Sequence, residues 1–587
     1  MAAEPSRAGI DSLFISRSTL TSEGNKTGSW RFLKPRYDEK TSPCSAACPA
    51  GEDIGLIEML TSQGQLKEAW ETILRENPFP GVCGRVCYHP CETVCNRGLF
   101  DEPIGIQIIE RSLSENAVRY DLKPDLERLP SKNKKIAMIG AGPSGLSAAY
   151  FLTLLGYTCE VFESKTEAGG MLRYGIPNYR LPLLPLQTEI ERISQIGFTI
   201  HLGKTLSKNF FEEARRRYEA VFVGCGLWRT PKLAIPGEDL EGVEDGLAFL
   251  EKLNQETFPA MQGLVAILGG GNTAIDVARS VRRLGGQALI LYRRRRQDMP
   301  AFGEEIQMAL EEGVELKELW TPIQIQPEGT AFRLTGQMMR VSDVDKKGKA
   351  QVEPIPGKTE SFLVTRIFKA IGLEASEGWT NPPTKDQDVI SLANTILVPH
   401  PQGPVTVFGG DLTVTSKSVV QAVASGKEGA LALDLFFQKG PEAIEPGLRA
   451  SLVGNGPALS VERYLGGPRT TRNPHLVQYE EINHDHFQFS PRLIYPRLLK
   501  RERVQSFAEI NLKISTDLAM REAKRCFNCG LCNQCDNCRL YCPDLSILRE
   551  DLPLGRRINY DYCKGCGICV VECPRNAMIL EEEQGTY

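Results

Sequence analysis

"KKIAMIGAGPSGLSAAYFLTLLGYTCEVFES", residues 134–164, decides the fold. An apolar run from Ile136 to Ile139 reaches Gly140-Ala-Gly142-Pro143-Ser144-Gly145. An apolar-periodic helix follows, and a second apolar run ends on Glu163. A GxGxxG alone is a weak signal. Between two strands, opening a helix, with an acid about twenty residues on, it is the signature of a dinucleotide-binding unit. The glycines let the backbone approach a pyrophosphate at the helix N-terminus. Glu163 can accept hydrogen bonds from ribose hydroxyls.

A second copy begins at 264: "LVAILGGGNTAIDVARSVRRLGGQALILYRRRRQDMP". Gly269, Gly271 and Ala274 fill its fingerprint, with Asn272 and Thr273 between them. Its second strand ends in Tyr292-Arg293-Arg294 instead of an acid. Arginines there suit a 2′-phosphate and favour NADPH over NADH; the alternative is a solvated basic turn. A third element, "VTVFGGDLTVTSKSVVQAVASGKEGA" (405–430), takes a strand into Gly409-Gly410-Asp411 and a helix of small residues. No C-x-x-x-x-C lies near the first glycine loop, so no redox disulfide is expected beside a flavin. Cys159 and Cys225 stand alone and read as buried structural thiols.

At 587 residues the chain exceeds one core, and roughly three to five domains are expected. Hydrophobic residues at 41%, charged residues at 24% and a net charge of -4 describe a globular protein with no general affinity for nucleic acid. No apolar run approaches the ~20 residues of a membrane span. The opening "MAAEPSRAGIDSLF" lacks a secretory pattern, which points to the cytoplasm. All of the 18 cysteines but Cys159 and Cys225 fall into three groups, and clustered cysteines in that compartment are metal ligands more often than disulfides.

The last group reads Cys563-x-x-Cys566-x-x-Cys569-x-x-x-Cys573-Pro574, and the same spacing occurs at Cys532, Cys535, Cys538 and Cys542-Pro543. This is the bacterial two-cluster ferredoxin pattern, in which the fourth cysteine of each run serves the other cluster. One [4Fe–4S] cluster is expected on Cys532, Cys535, Cys538 and Cys573, the other on Cys563, Cys566, Cys569 and Cys542. Zinc is the rival, but zinc sites seldom need three evenly spaced cysteines and a fourth before proline.

The tail "DYCKGCGICVVECPRNAMIL" resembles the delta subunit of 2-oxoacid:ferredoxin oxidoreductases, and "NKTGSWRFLKPRYDEK" looks like the start of such subunits. Over about residues 40–440, "GAGPSGLSAA", "EAGGMLRYGIPNYRLP", "GGGNTAIDVAR", "YRRRRQDMPA" and "FGGD" resemble the small subunit of NADPH-dependent glutamate synthase. The N-terminal half of dihydropyrimidine dehydrogenase and the large subunit of the ferredoxin:NADP transhydrogenase are similar. The resemblance implies FAD at the first glycine loop, NAD(P) at the second, and Asp411 on the FAD ribityl–phosphate region. It also implies flavin contacts from Gly170, Met171, Arg173 and Tyr174. It further implies two [4Fe–4S] clusters in the N-terminal segment, one held by Cys48, Cys87, Cys91 and Glu110.

The families' other N-terminal cluster needs a C-x-x-C pair within "REAxRCxxC" ahead of the position of Cys44. No cysteine precedes Cys44, but "REAKRCFNC" stands at 521–529. The expectation is that this pair folds back, so that Cys526, Cys529, Cys44 and Cys95 share a cluster and Cys83 is left over. The alternative leaves Cys526 and Cys529 idle. Four cubanes at four ligands each match the fifteen cysteines and Glu110 named here.

The fold expected is multidomain α/β: a helical iron–sulfur domain (1–125), an FAD domain in two parts (126–262 and 401–440) and an inserted NAD(P) domain (263–400). A linker and helical segment (441–520) and a bacterial-type α+β ferredoxin domain (521–587) complete it. These parts imply an electron-transfer subunit exchanging electrons between NAD(P)(H), FAD and four clusters. No acid–base or nucleophilic residue is named. The ferredoxin tail makes a 2-oxoacid oxidoreductase, aromatic 2-oxoacids included, the leading partner. Alternatives are a glutamate synthase small subunit, an electron donor to another low-potential reductase, and a structural zinc or nucleic-acid-binding protein. No pyrimidine-binding barrel follows to make a dihydropyrimidine dehydrogenase.

Overall fold

A computed structural model describes residues 24, 26–255, 258–345, 348–383, 389–401, 403–550 and 555–583. The reading of the first residues lies outside them. The chain forms two compact units. The smaller takes its residues from 1–39, 480–487 and 532–587, the larger from 40–479 and 488–531. No helix among the described residues is long and apolar enough to cross a membrane.

The larger unit is built on two sheets. Strands Lys135–Ile139, Thr158–Phe162, Thr199–His201, Ala220–Val223 and Val405–Phe408 are parallel, and Ile390–Ser391 and Ile396–Val398 extend one edge antiparallel. Ile136, Ala137, Met138 and the whole of Ala220–Val223 are buried, as strands covered by helices on both faces must be. The second sheet is parallel throughout, in the order Glu315–Lys317, Gln287–Leu291, Leu264–Leu268, Arg366–Lys369, Val243–Asp245. A three-stranded antiparallel sheet spans Trp320–Glu328, Ala331–Val344 and Ala350–Val364.

The second sheet thus lies, in sequence, between strands of the first. It opens at Val243, ahead of the expected boundary at 263, and residues 390–398 belong to the first sheet. Neither was legible, because these two- and three-residue strands carry no glycine fingerprint and exist only through their neighbours.

Helices Pro43–Ala47, Ile54–Ser62, Leu66–Leu74, Pro80–Val86 and Ile106–Arg119 form the N-terminal part of this unit, and helix Thr516–Lys524 packs onto the second and the last of them. The carboxylate of Glu522 accepts from the amides of Gly105 (2.8 Å) and Leu493 (2.8 Å). The segment expected as a linker with helical character is folded against the rest of this unit. Strand Asn473–Leu476 pairs with Lys40–Thr41. Buried Glu76 accepts from the amides of Val461 (2.9 Å) and Glu462 (3.2 Å) and pairs with Lys427 of the long helix Val419–Lys439.

In the smaller unit, strand Leu33–Tyr37 pairs antiparallel with Met578–Glu582, register Tyr37 to Met578 and Leu33 to Glu582. Arg31 donates to Glu583 at 2.6 Å and to the Tyr560 carbonyl at 2.6 Å. The described residues up to Glu39, expected with the helical domain, therefore complete the ferredoxin sheet. Both segments are needed because strand Met578–Glu582 has Leu33–Tyr37 as its partner in this two-stranded sheet.

Candidate functional site

One continuous cavity of the larger unit joins the two glycine loops. Gly140, Gly142, Pro143 and Ser144 line it from the first, Gly269, Gly271, Asn272 and Thr273 from the second. Glu163, Gly170, Met171, Arg293, Arg294, Gly410 and Asp411 complete the expected set. Gly145, Ala274, Arg173 and Tyr174 are not on its wall. A Cβ on Gly145 would lie 2.0 Å from the Gly140 carbonyl oxygen, so this glycine serves helix–strand contact. Ala274 is fully buried in the helix–sheet core. The Arg173 guanidinium donates to Ala168 O at 2.7 Å, and Tyr174 Oη to Glu167 O at 3.1 Å. These two brace the wall.

The cleft has the character a dinucleotide requires. A Cβ on Gly271 would meet nothing within 4 Å, and one on Gly142 would find only Gly170 Cα at 3.9 Å. Both glycines leave open space above a helix N-terminus. Ser144 Oγ and Arg294 Nε are buried without a hydrogen-bond partner, polar atoms of the kind a ligand satisfies. Glu163 accepts from the amides of Ala141 (2.8 Å) and Lys165 (2.8 Å), fixing the glycine loop to the second strand with lone pairs to spare. Burial raises the Asp411 carboxyl, and Lys417 opposes that shift.

Three features escaped sequence reading. Arg180 and Asp276 line the cavity and pair through one guanidinium nitrogen at 2.8 and 3.0 Å. Only the quoted "YGIPNYRLP" hinted at the first. Cys225, expected to be buried, is half-buried on the cavity wall. Val86, which immediately precedes Cys87, also lines the cleft, so the helical part and the nucleotide cavity share a boundary.

The cysteines gather in four groups. Burial first, then the charges of Cys95, Cys529 and Glu58, hold the Cys44 thiol well above its usual range. Cys526 is raised by burial and then by Glu58, Cys44, Cys529 and Cys95. Cys44, Cys95, Cys526 and Cys529 thus lie near enough to one another for their charges to interact, and Asn96 Nδ2 donates to Cys529 Sγ at 3.5 Å.

The second group is Cys48, Cys87, Cys91 and Glu110. Burial and then Glu110 raise Cys87, and Asn77 Nδ2 donates to Glu110 Oε1 at 3.2 Å. Cys83, left over by the count, stands here too, beside Glu110 and Cys87. The remaining two groups are in the smaller unit. Cys532, Cys535, Cys538 and Cys573 line one small cavity, and Cys542, Cys563, Cys566 and Cys569 another. Among the described residues no three such side chains close on a single point as one metal ion requires; in the smaller unit the thiols line small cavities. Bound iron would invert the local electrostatics and draw these thiols to thiolates, so the donor sets fit iron–sulfur clusters.

Residues 37–122 match the dihydropyrimidine dehydrogenase domain II, 4Fe-4S cluster family, 134–381 the pyridine nucleotide-disulphide oxidoreductase family, and 556–579 the 4Fe-4S binding domain. The NADP(+)-dependent formate dehydrogenase subunit beta of Moorella thermoacetica is 33% identical over 529 residues, 83% of this chain and 70% of that one. The chain belongs to this family of iron–sulfur NAD(P)-dependent oxidoreductase subunits. Its relatives include the NADPH-Fe(3+) oxidoreductase subunit beta of Geobacter sulfurreducens (30%, 84% of this chain, 75% of that one). The glutamate synthase [NADPH] small chain of Escherichia coli is 30% identical over 66% of this chain and 87% of its own. As a family member the chain is an FAD-dependent NAD(P)H oxidoreductase with iron–sulfur clusters, an electron-transfer subunit.

Proposed function

We propose that this subunit passes electrons between NADP(H) and a partner through FAD and four [4Fe–4S] clusters, and that the partner is a 2-oxoacid oxidoreductase, aromatic substrates included. When bound, the nicotinamide supplies hydride, the flavin converts pairs of electrons to single ones, and the clusters carry those singly. The observation that carries the reading is the Val86–Cys87 step. One residue faces the nucleotide cavity, and the next belongs to the thiol group of Cys48, Cys91 and Glu110.

The residues divide the work. Gly140, Gly142 and Ser144 receive the FAD pyrophosphate, Glu163 its ribose, and Gly410 and Asp411 the ribityl–phosphate end. Gly269, Gly271, Asn272 and Thr273 receive NADP, with Arg293 and Arg294 on the 2′-phosphate. The cluster sets are Cys48, Cys87, Cys91, Glu110; Cys44, Cys95, Cys526, Cys529; Cys532, Cys535, Cys538, Cys573; and Cys542, Cys563, Cys566, Cys569. Cys83 is the competitor to Glu110. All eighteen thiols are free of disulfides, which supports a reducing compartment, the cytoplasm.

The decisive test is anaerobic purification from the native host, identification of bound subunits, and assay of 2-oxoacid-dependent NADP reduction. Copurification with glutamate synthase, or with another reductase and no 2-oxoacid enzyme, would replace the partner. A colourless preparation free of iron would reject the whole relay.

A further inference from the structure

The two halves of the smaller unit repeat each other. In Cys532-Asn-Gln-Cys535-Asp-Asn-Cys538 and Cys563-Lys-Gly-Cys566-Gly-Ile-Cys569, positive φ falls at matching positions: Gln534 (61°) and Asp536 (69°), Gly565 (72°) and Gly567 (77°). Three residues beyond each cysteine that precedes proline, φ is positive again, at Leu545 (50°) and Asn576 (55°). One residue later an amide turns back on that cysteine: Ser546 N to Cys542 Sγ at 3.3 Å, Ala577 N to Cys573 Sγ at 3.4 Å. The middle cysteine of each run, Cys535 or Cys566, is exposed.

Each half then enters a strand with an antiparallel partner. Ile547 stands opposite Ile558, and Met578 opposite Tyr37. Tyr37 and Ile558 therefore hold equivalent positions, and each lines its own cavity. Here the repeat breaks. Tyr37 Oη is 3.5 Å from Cys538 Sγ, whereas isoleucine has no donor to offer Cys569.

We infer that Tyr37 makes the two ferredoxin-type clusters electrochemically unequal, the cluster of Cys532, Cys535, Cys538 and Cys573 being reduced first. This rests on the cluster assignment proposed above. A ligating cysteine has lost its proton, so the phenol is the donor. One electron entering the cluster adds negative charge that spreads onto its sulfurs and strengthens the O–H···S bond. Hydrogen bonds to the sulfurs are among the quantities that set cluster potentials, and this one favours the reduced form. No covalent bond forms or breaks, and the proton stays on the phenol oxygen.

Charges of both signs flank each group: Arg556, Arg575, Asp536 and Glu39 the one, Arg31, Lys564 and Asp544 the other. The residue that sets the inequality comes from the other end of the chain, 501 positions from the cysteine it touches.

The test is a dithionite titration of the anaerobic full-length protein followed by EPR, on the parent, Tyr37→Phe and Ile558→Tyr. Tyr37→Phe should lower one midpoint, that of the signal missing in Cys535→Ser, with iron and sulfide content unchanged. Ile558→Tyr should raise the midpoint of the other ferredoxin cluster and narrow the gap. Full iron content with every midpoint unmoved by Tyr37→Phe, or a shift confined to the Cys563 group, would overturn the inference while leaving the cluster assignment standing. A parent protein without iron would overturn the assignment itself.

Discussion

At the residue scale, two kinds of glycine separate binding from folding. Gly271 has ordinary extended backbone (φ -86°, ψ 176°) and empty space where a Cβ would stand. Gly271→Ala should therefore keep the parent's unfolding midpoint and weaken NADP binding, read by titration of the flavin absorbance. Gly145→Ala puts a methyl 2.0 Å from a carbonyl oxygen and should instead lower stability. Arg293 and Arg294 line the cleft. A charge-assisted contact is worth about 1.5–3 kcal/mol, so replacing either by Ala should raise KM for NADPH roughly ten- to a hundredfold, with KM for NADH little changed. An equal loss with both cofactors would leave these arginines as a solvated basic turn. The fully buried Lys427–Glu76 pair predicts that Lys427→Met, which strands a buried carboxylate, costs about 3–5 kcal/mol, measured as a fall in the urea midpoint.

At the element scale, helix Thr516–Lys524 and the turn after it are part of the N-terminal iron–sulfur region despite their distance in sequence. Glu522 holds two amides of other segments, and Arg97 Nη1 donates to the Arg525 carbonyl at 3.0 Å. If Cys526 and Cys529 share a cluster with Cys44 and Cys95, changing both to Ser should remove about a quarter of the iron, with NADPH oxidation by a flavin-directed dye retained. Unchanged iron would show the pair to be idle. A chain ending at 515 should retain about four irons, and one ending at 531 about eight. The helical character of the segment leading to 525 was legible, but its neighbours were not. An amphipathic face says that something covers it and does not say what.

At the scale of the whole molecule, residues 33–37 and 555–583 of the smaller unit lie, in sequence, on either side of the much larger one. Strand Leu33–Tyr37 is the edge partner of Met578–Glu582. Removing residues 1–39 should therefore destabilise the ferredoxin-type unit, seen as loss of about half the iron, while NADPH still reduces the flavin. Retention of all the iron would mean that the C-terminal strands fold without that partner.

The nucleotide loops and both ferredoxin runs were legible in the sequence because each is a contiguous segment. A glycine turn between strand and helix, or three cysteines at one spacing, carries its chemistry within a few residues, and local backbone geometry is enough to aim it. Other features have no such local signature. These are the return of Cys83 to Glu110, the Arg180–Asp276 pair in the cleft, and the phenol of Tyr37 at Cys538. In each, the partners lie tens to hundreds of residues apart, and loop-closure entropy rises so slowly with length that the intervening chain favours no one pairing. Packing of the folded units makes that choice, and only the tertiary structure displays it.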